Sequence, residues 1–251
     1  MAAASAYAGR VAVVTGASRG LGAGLAQELR RAGLKLGLCS RSLPCLPDDG
    51  ESVVARQLDV QDGPAMAAFA EDVCRRLGPI DLWINNAGVL DPIAFVRDLE
   101  PAALQDHLGI NVVGVLVGTQ CFVRHLRSRG GEGVLINISS GAARNGYAGW
   151  GAYCAGKAAV DLLTECVQIE ERDAGLRAYS VAPGIIDTSM QDRIRGLTPE
   201  EFPSVGKFLE VKNNDAFNTP PFIAKQLLAM AFDPAARPDK VACSLPKERP
   251  A

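Results

Sequence analysis

Val11-Ala12-Val13-Val14 running into Thr15-Gly16-Ala17-Ser18-Arg19-Gly20-Leu21-Gly22 is the stretch that decides the fold. Four successive apolar residues read as a strand covered on both faces. An amphipathic pattern over 21–32 follows the glycines and predicts a helix. A strand, a glycine-rich turn and a helix N-terminus together make a phosphate site. Glycine lets the backbone approach closely, and the unpaired amides of the first helical turn carry partial positive charge. A plain tight turn also uses glycine, but the strand before and the helix after favour the phosphate reading. Gly16, Ser18, Arg19, Gly20, Leu21 and Gly22 are therefore expected at a nucleotide.

The same alternation continues outward along the chain. Apolar runs at 10–15, 34–40, 52–58, 80–84, 133–138 and 177–182 predict six strands, and 240–245 predicts a weaker seventh. Helical patterns lie between them at 64–77, 101–129, 152–174 and 221–232. Strands that alternate with helices define an α/β chain, a single Rossmann-type domain with a doubly wound parallel sheet of six to seven strands and helices on both faces, over 1–251. Two places break the rhythm. Residues 41–52 hold two prolines and Asp48-Asp49-Gly50, so this crossover is expected to be a loop. Residues 185–220 show mixed charge, aromatics and poor periodicity, and are expected as a loop over the ligand. The Ala-rich start, 1–8, is expected as a disordered tail.

Composition narrows the class. The 251 residues are 48% hydrophobic and 22% charged, with 26 basic against 28 acidic side chains and a net charge of −2. No basic block suggests nucleic acid or an anionic membrane as a partner. The first nine residues lack the basic start and apolar core of a signal peptide. Seven cysteines, an odd number never spaced Cys-x-x-Cys, fit neither a disulfide framework nor a zinc site and point to reduced thiols in the cytoplasm. With two histidines, no metal centre is expected.

At the end of the second strand, a carboxylate would accept hydrogen bonds from ribose hydroxyls and repel a 2′-phosphate. The chain instead reads Ser40-Arg41-Ser42. Arg41 offers a forked donor to a phosphate, Arg19 approaches the same spot from the glycine turn, and Ser42 is adjacent, so NADP(H) is expected. Asp59-Val60 follows the third strand, where the Asp either accepts from an adenine amino group or caps the next turn. Asn85-Asn86-Ala87-Gly88 follows the fourth strand; Asn85 reads as structural, and Asn86, Ala87 and Gly88 as nearer the cofactor.

The chemistry-bearing residues come later. Asn137-Ile138-Ser139-Ser140 ends the fifth strand, and Tyr153 and Lys157 lie four apart on one helix face. A phenol titrates near 10, so it needs a nearby cation to exchange protons at neutral pH, and Lys157 is expected to supply that charge. Hydride arriving at a carbonyl carbon develops an alkoxide, which Tyr153 protonates while Ser139 donates a hydrogen bond to the same oxygen. Tyr147, Trp150, Met190 and Phe202 are candidates for an apolar substrate wall.

In order and spacing, these motifs resemble the short-chain dehydrogenases/reductases: TGxxxGxG at 15–22, NNAG at 85–88, Asn111, Ser139, YxxxK at Tyr153 and Lys157, and Pro183-Gly184 before Thr188. The resemblance implies that Lys157 also holds the nicotinamide ribose and that Asn111 holds a water relaying protons to Lys157. It further implies that Pro183, Gly184, Ile186 and Thr188 line the nicotinamide. It implies a homodimer or homotetramer, often through the helix bearing Tyr153 and its neighbour. The stretches 149–159 and 182–191 are similar to the sepiapterin reductase branch, which includes bacterial reductases acting on benzil. That branch anchors its pterin with an Asp just after the last strand's valine, whereas here Val241 is followed by Ala242-Cys243-Ser244-Leu245. The expectation is an NADPH-dependent carbonyl reductase that converts one carbonyl of a vicinal diketone, or a sepiapterin-like side chain, to a secondary alcohol. An oxidative alcohol or hydroxysteroid dehydrogenase and a non-catalytic NADP-binding regulator are the alternatives. Bulky thiol reagents are expected to inhibit by obstruction at Cys39 or Cys154.

Overall fold

The computed structural model describes residues 7–249. Seven parallel strands form one sheet: β1 (Val11–Thr15), β2 (Lys35–Ser40), β3 (Val53–Gln57), β4 (Leu82–Asn85), β5 (Gly133–Ile138), β6 (Leu176–Ala182) and β7 (Ala242–Ser244). Their order is β3-β2-β1-β4-β5-β6-β7. The chain winds outward from β1 in one direction and from β4 in the other, so the crevice of a doubly wound sheet opens at the carboxyl ends of this pair. The β1–β4 register sets Ala12 against Leu82 and Val14 against Ile84.

Period-two alternation explains why β1 is apolar throughout. Ala12 and Val14 join Leu25, Leu29, Ile223 and Leu227 on one face. Val11 and Val13 join Met66, Phe69, Phe122 and Leu126 on the other. The first face is covered by α1 (Gly20–Arg31) and α8 (Pro220–Phe232), which pack on each other. The second is covered by α2 (Gly63–Leu77), α4 (Gly114–Arg129) and α5 (Gly151–Glu171). Local signals set the helix starts. Asp62 accepts from the Ala65 amide ahead of α2, Thr219 accepts from the Phe222 amide ahead of α8, and each helix has proline in its first positions.

Residues 101–129, expected as one helix, divide into α3 (Pro101–Leu108), a π-helical turn (Gly109–Val113) and α4. The break falls at Asn111, whose buried amide bonds both to the Val89 N–H and to the Val89 carbonyl, each at 2.9 Å. A side chain fastened across to a neighbouring loop widens the helix there. The stretch is long and apolar enough to cross a membrane by length and composition alone. Here it buries His107, Asn111, Phe122 and Leu126 in the fold.

The 41–52 crossover is a loop, held by its carboxylates. Asp49 accepts from the amides of Glu51, Ser52 and Val53, and Asp48 pairs with Arg56 and Arg76. The expectation of a loop over 185–220 is corrected. The segment folds into α6 (Ser189–Arg195) and α7 (Val205–Asn213), which pack on each other. Two of its three aromatics are core side chains of a small third cluster: Phe202 stacks on Trp150 with centroids 4.5 Å apart, and Phe208 lies 5.3 Å from the same ring. Seven- and nine-residue helices carry too few turns for their periodicity to show in sequence. The tail expectation over 1–8 is corrected at its end, where Tyr7 lies in a turn with its ring 5.4 Å from Phe232; residues 1–6 lie outside those described.

The C-terminal stretch is stitched to the body. Asn218, buried, donates to the carbonyls of Pro183 and Pro246 and accepts from the Glu248 amide, and the Glu248 carboxylate receives the Thr219 N–H and hydroxyl.

Candidate active site

A cleft of about 880 Å³ runs along the carboxyl edge of the sheet. At one end it is lined by Gly16, Ser18, Arg19, Gly20, Leu21 and Gly22, by Arg41 and Ser42 after β2, by Asp59 and Val60 after β3, and by Asn86, Ala87 and Gly88 after β4. Close approach explains the glycines. A Cβ on Gly16 would stand 2.8 Å from the Ala87 Cα, and one on Gly22 would stand 2.3 Å from the Gly16 carbonyl oxygen. Gly16 and Gly20 also take φ of +70° and +55°. Thr15 Oγ1 accepts from the amides of Asn86 and Ala87, and the Asn86 amide donates to the Thr15 carbonyl, so the turn after β1 and the loop after β4 are bolted together. Across the groove, a Cβ on Gly20 would meet Thr188 Cγ2 at 3.4 Å. Pro183, Gly184, Ile186 and Thr188 line this side.

Asn85 is a core tie: it accepts from Trp83 Nε1 and donates to Asn137 Oδ1 at 2.9 Å. Asp59 accepts from the backbone and side-chain amides of Gln61, which is the turn-capping role, while remaining on the cleft wall. Among the described residues, Arg19 and Arg41 make no ion pair, and both face the cleft.

The chemical end is built on α5, where Tyr153, Lys157 and Asp161 recur every fourth residue and lie on one stripe. Each meets the chain leaving β5. Asp161 accepts from the Ser139 hydroxyl at 2.5 Å and also from Ser180, Lys157 Nζ donates to the Ile138 carbonyl at 2.7 Å, and Ser140 is the hydroxyl that acts on the Tyr153 phenol, opposing the rise that burial causes. This corrects the choice of serine. Ser139 is committed to Asp161 on the α5 side, and Ser140 is the hydroxyl at the phenol. Side chains alternate along extended backbone: Asn137 and Ser139 turn to Thr164 and Asp161 of α5, so Ser140, at φ −155° and ψ 157°, turns the other way.

Burial governs the electrostatics here. It raises the Tyr153 phenol above its ordinary value, with the Ser140 hydrogen bond opposing, and lowers Lys157 to about 8, with Asp161 opposing. The expected stabilisation of the phenolate by Lys157 is not among the effects acting on the phenol, which are burial, Ser140 and Cys154. The ammonium bonds a carbonyl and lies 5.7 Å from the phenol ring centre. A neutral phenol is the form that a proton donor requires. Asn111 is spent on Val89, with His107 Nε2 2.6 Å from its amide nitrogen, so its side chain braces the loop after β4. Burial lowers His107, which bonds the Asp91 carbonyl through Nδ1.

Tyr147, Trp150 and Met190 line the cleft together with Tyr153. Phe202 does not; it is fully buried behind Trp150, and Phe208 stands at the wall in its place. Gln191, Ile194 and Lys207 also line this end, and Lys207 Nζ donates to the Tyr147 hydroxyl at 2.9 Å. Sequence reading missed them because α6 and α7 were not recognised as helices. After β7, Ser244 and Leu245 reach the cleft, and Arg144 donates to the Ser244 hydroxyl, so no carboxylate occupies the place of a pterin anchor. The thiol expectation is corrected at Cys39, which is fully buried with its thiol pushed far up by desolvation, while Cys166 is exposed.

A parallel sheet with its glycine turn at the switch point, a cleft along the carboxyl edge and a buried Tyr-Lys pair on the following helix define a nicotinamide-dependent oxidoreductase acting on CH–OH or carbonyl groups. The chain belongs to the short chain dehydrogenase family, which it matches over residues 10–197. It is 30% identical to the benzil reductase ((S)-benzoin forming) of Bacillus cereus over 87% of this chain and 92% of that one. It is 31% identical to the protein of the same name from Bacillus subtilis (strain 168), over 87% and 91%. Among solved structures, the KRED1-Pglu enzyme superposes with a TM-score of 0.80 at 26% identity, covering 93% of this chain and 99% of that chain.

Proposed function

We propose that the protein is an NADPH-dependent carbonyl reductase that converts one carbonyl of an aromatic vicinal diketone to a secondary alcohol. The observation that carries this reading is the placement of Tyr153, Ser140 and, one turn along α5, the buried Lys157 in one cleft with the glycine turn and with Arg19 and Arg41. The donor set fits the nucleotide: amides of the Gly16–Gly22 turn for the diphosphate, and Arg19 with Arg41 for a 2′-phosphate. Lys157 would hold the ribose hydroxyls of the nicotinamide half, and 183–188 would line its ring. When bound, the nucleotide supplies a hydride.

The chain's own residues manage the oxygen. Tyr153 gives its proton to the carbonyl oxygen as negative charge develops there, and Ser140 donates a second hydrogen bond to that atom. Asn111 and His107 brace the loop that carries Gly88, and a Cβ on Gly88 would meet Asn111 Oδ1 at 2.8 Å. Tyr147, Trp150, Met190 and Phe208 supply an aromatic and apolar wall suited to an aryl ketone. Relatives named for benzil reduction support the substrate class.

We place the enzyme in the cytoplasm, on its free thiols, and as a homodimer. The exposed Leu162 and Ile169, seven residues apart on α5, give an apolar stripe for a second copy. The test is a panel of ketones and diketones, with NADPH oxidation as the readout and Tyr153→Phe as the control. The variant is expected to bind NADPH without turnover, and retained turnover would overturn the mechanism.

A further inference from the structure

Away from the nucleotide turn, the charged side chains that line the cleft are Asp91, Lys157, Arg193 and Lys207. Three of them are answered within the chain. Lys157 is buried and donates to the Ile138 carbonyl, and Arg193 pairs with Asp91 at 3.4 Å. Lys207, on α7, meets no carboxylate among the described residues. Its Nζ bonds the Tyr147 hydroxyl at 2.9 Å and stands 5.2 Å from the centre of that ring and 6.0 Å from the centre of the Phe208 ring. Lys207 is exposed and Tyr147 half-buried, and both line the cleft, so a ligand reaches the pair.

An ammonium has three donors and no acceptor, so the Tyr147 oxygen accepts in that bond and its own hydrogen is left over. Among the described residues nothing accepts this hydrogen or the remaining ones on Nζ. Two donors, one of them cationic, therefore stand side by side, 2.9 Å apart. A carboxylate has two acceptor oxygens on one carbon and matches such a pair, while bringing the charge that Lys207 lacks. A neutral carbonyl would leave the cation unanswered.

The aromatic wall fixes where that carboxylate lies. The Tyr147 ring is 5.2 Å from that of Trp150, and the Trp150 ring is 5.5 Å from that of Tyr153, centre to centre. Lys207 touches the rings of Tyr147 and Phe208, whereas the proton donor Tyr153 touches those of Trp150 and His107. The cation thus stands one aromatic residue beyond the reacting end. It is placed for a substituent at the far side of an aryl arm, and not for a group on the reacting carbon.

We propose that Lys207 and Tyr147 form a carboxylate subsite, and that the substrate is an aryl ketone whose arm carries an acidic group at its outer end. This inference rests on the carbonyl reductase reading above and specifies what the outer end of the substrate bears. Because Lys207 is exposed, water and salt screen its charge and moderate the effect.

The probes are benzil with a para carboxylate on one ring and the matching carboxamide, which has the same outline and no charge. The measurement is the ratio of kcat/KM for the carboxylate to that for the carboxamide, with NADPH. It is made on the full chain, on Lys207→Met, which keeps length without charge, and on Lys207→Glu, which turns attraction into repulsion. Comparing ratios between proteins cancels the intrinsic reactivities of the two probes. Expected is a ratio about fivefold lower in Lys207→Met and about tenfold lower or more in Lys207→Glu, with the loss in KM for the carboxylate and the affinity for NADPH retained. Added salt should lower the wild-type ratio as well. Melting curves establish that each variant is folded, and either folded variant suffices. A ratio that is equal in all three proteins overturns the inference, and so does a weakened NADPH affinity with the ratio unmoved, which would assign the lysine to the cofactor. If the wild type reduces benzil or the carboxamide but not the carboxylate, the inference alone fails. If it reduces none of the three, the carbonyl reductase reading fails, and the inference with it.

Discussion

Replacing each of two adjacent serines by alanine gives opposite outcomes if the alternation at the end of β5 is right. Ser140→Ala removes the hydroxyl at the Tyr153 phenol, and with it one hydrogen bond to the developing alkoxide. Losses of that kind run to about 10²–10³ in kcat. Ser139→Ala removes a buried donor to the Asp161 carboxylate and leaves Ser180 as its remaining hydroxyl partner. A hydrogen bond to a charged group contributes roughly 1.5–3 kcal/mol. In a chain of this size that is a fall in Tm of roughly 3–12 °C. The assay is paired: NADPH oxidation with a saturating diketone for kcat, and calorimetry for Tm. Ser140→Ala, which also removes the cap accepting from the Ala142 amide, should melt slightly early and turn over poorly, whereas Ser139→Ala should melt early and retain most of its kcat. A Ser139→Ala protein with wild-type stability and abolished turnover would refute the geometric argument, as would full activity in Ser140→Ala.

Other outcomes follow from the same geometry. Arg41→Asp should weaken NADPH by about tenfold or more, through loss of a charge-assisted bond, and favour NADH, as read by kcat/KM for each nucleotide; an unaltered preference would refute the phosphate assignment. Lys157 loses its charge as pH rises through about 8, so kcat/KM for reduction should fall above that pH while Tyr153, raised by burial, stays protonated; a flat profile to pH 10 counts against it. Because the native state releases this proton before the unfolded chain does, the same group makes stability rise with pH between about 8 and its ordinary 10.5, measurable by denaturant titration. Leu162→Glu with Ile169→Glu should shift light-scattering mass from dimer to monomer. A maleimide should leave buried Cys39 unmodified, and should label Cys166, which shares the Leu162 and Ile169 face of α5, faster in the Leu162→Glu/Ile169→Glu monomer than in the dimer.

The nucleotide end was legible because its signals are local. The β1 run, the glycine turn and the α1 pattern each follow from short-range sterics, and alternation across a two-sided sheet makes strands stand out. What escaped depended on parity or on tertiary company. Ser139 and Ser140 are equivalent as letters, and counting faces from Asn137 is what separates them. Asn111 reads as a polar residue in a long helix, but its grip on Val89 and the π-helical turn it produces need a loop 22 residues earlier. The short helices α6 and α7 are held by packing around Trp150 rather than by periodicity, so Gln191 and Lys207 had no sequence signal pointing to the cleft. Asn218 went unnoticed for the same reason.

That last residue changes how the end of the chain should be handled at the bench. Gly184 packs so closely on Asn218 that a Cβ there would meet its amide nitrogen at 2.7 Å, and Asn218 is in turn gripped by Pro246 and Glu248. The final turns of the polypeptide therefore buttress, through one amide, the loop that would cradle the nicotinamide. Trimming the chain before Pro246, or crowding that stretch with a purification tag, would loosen the cofactor's seat.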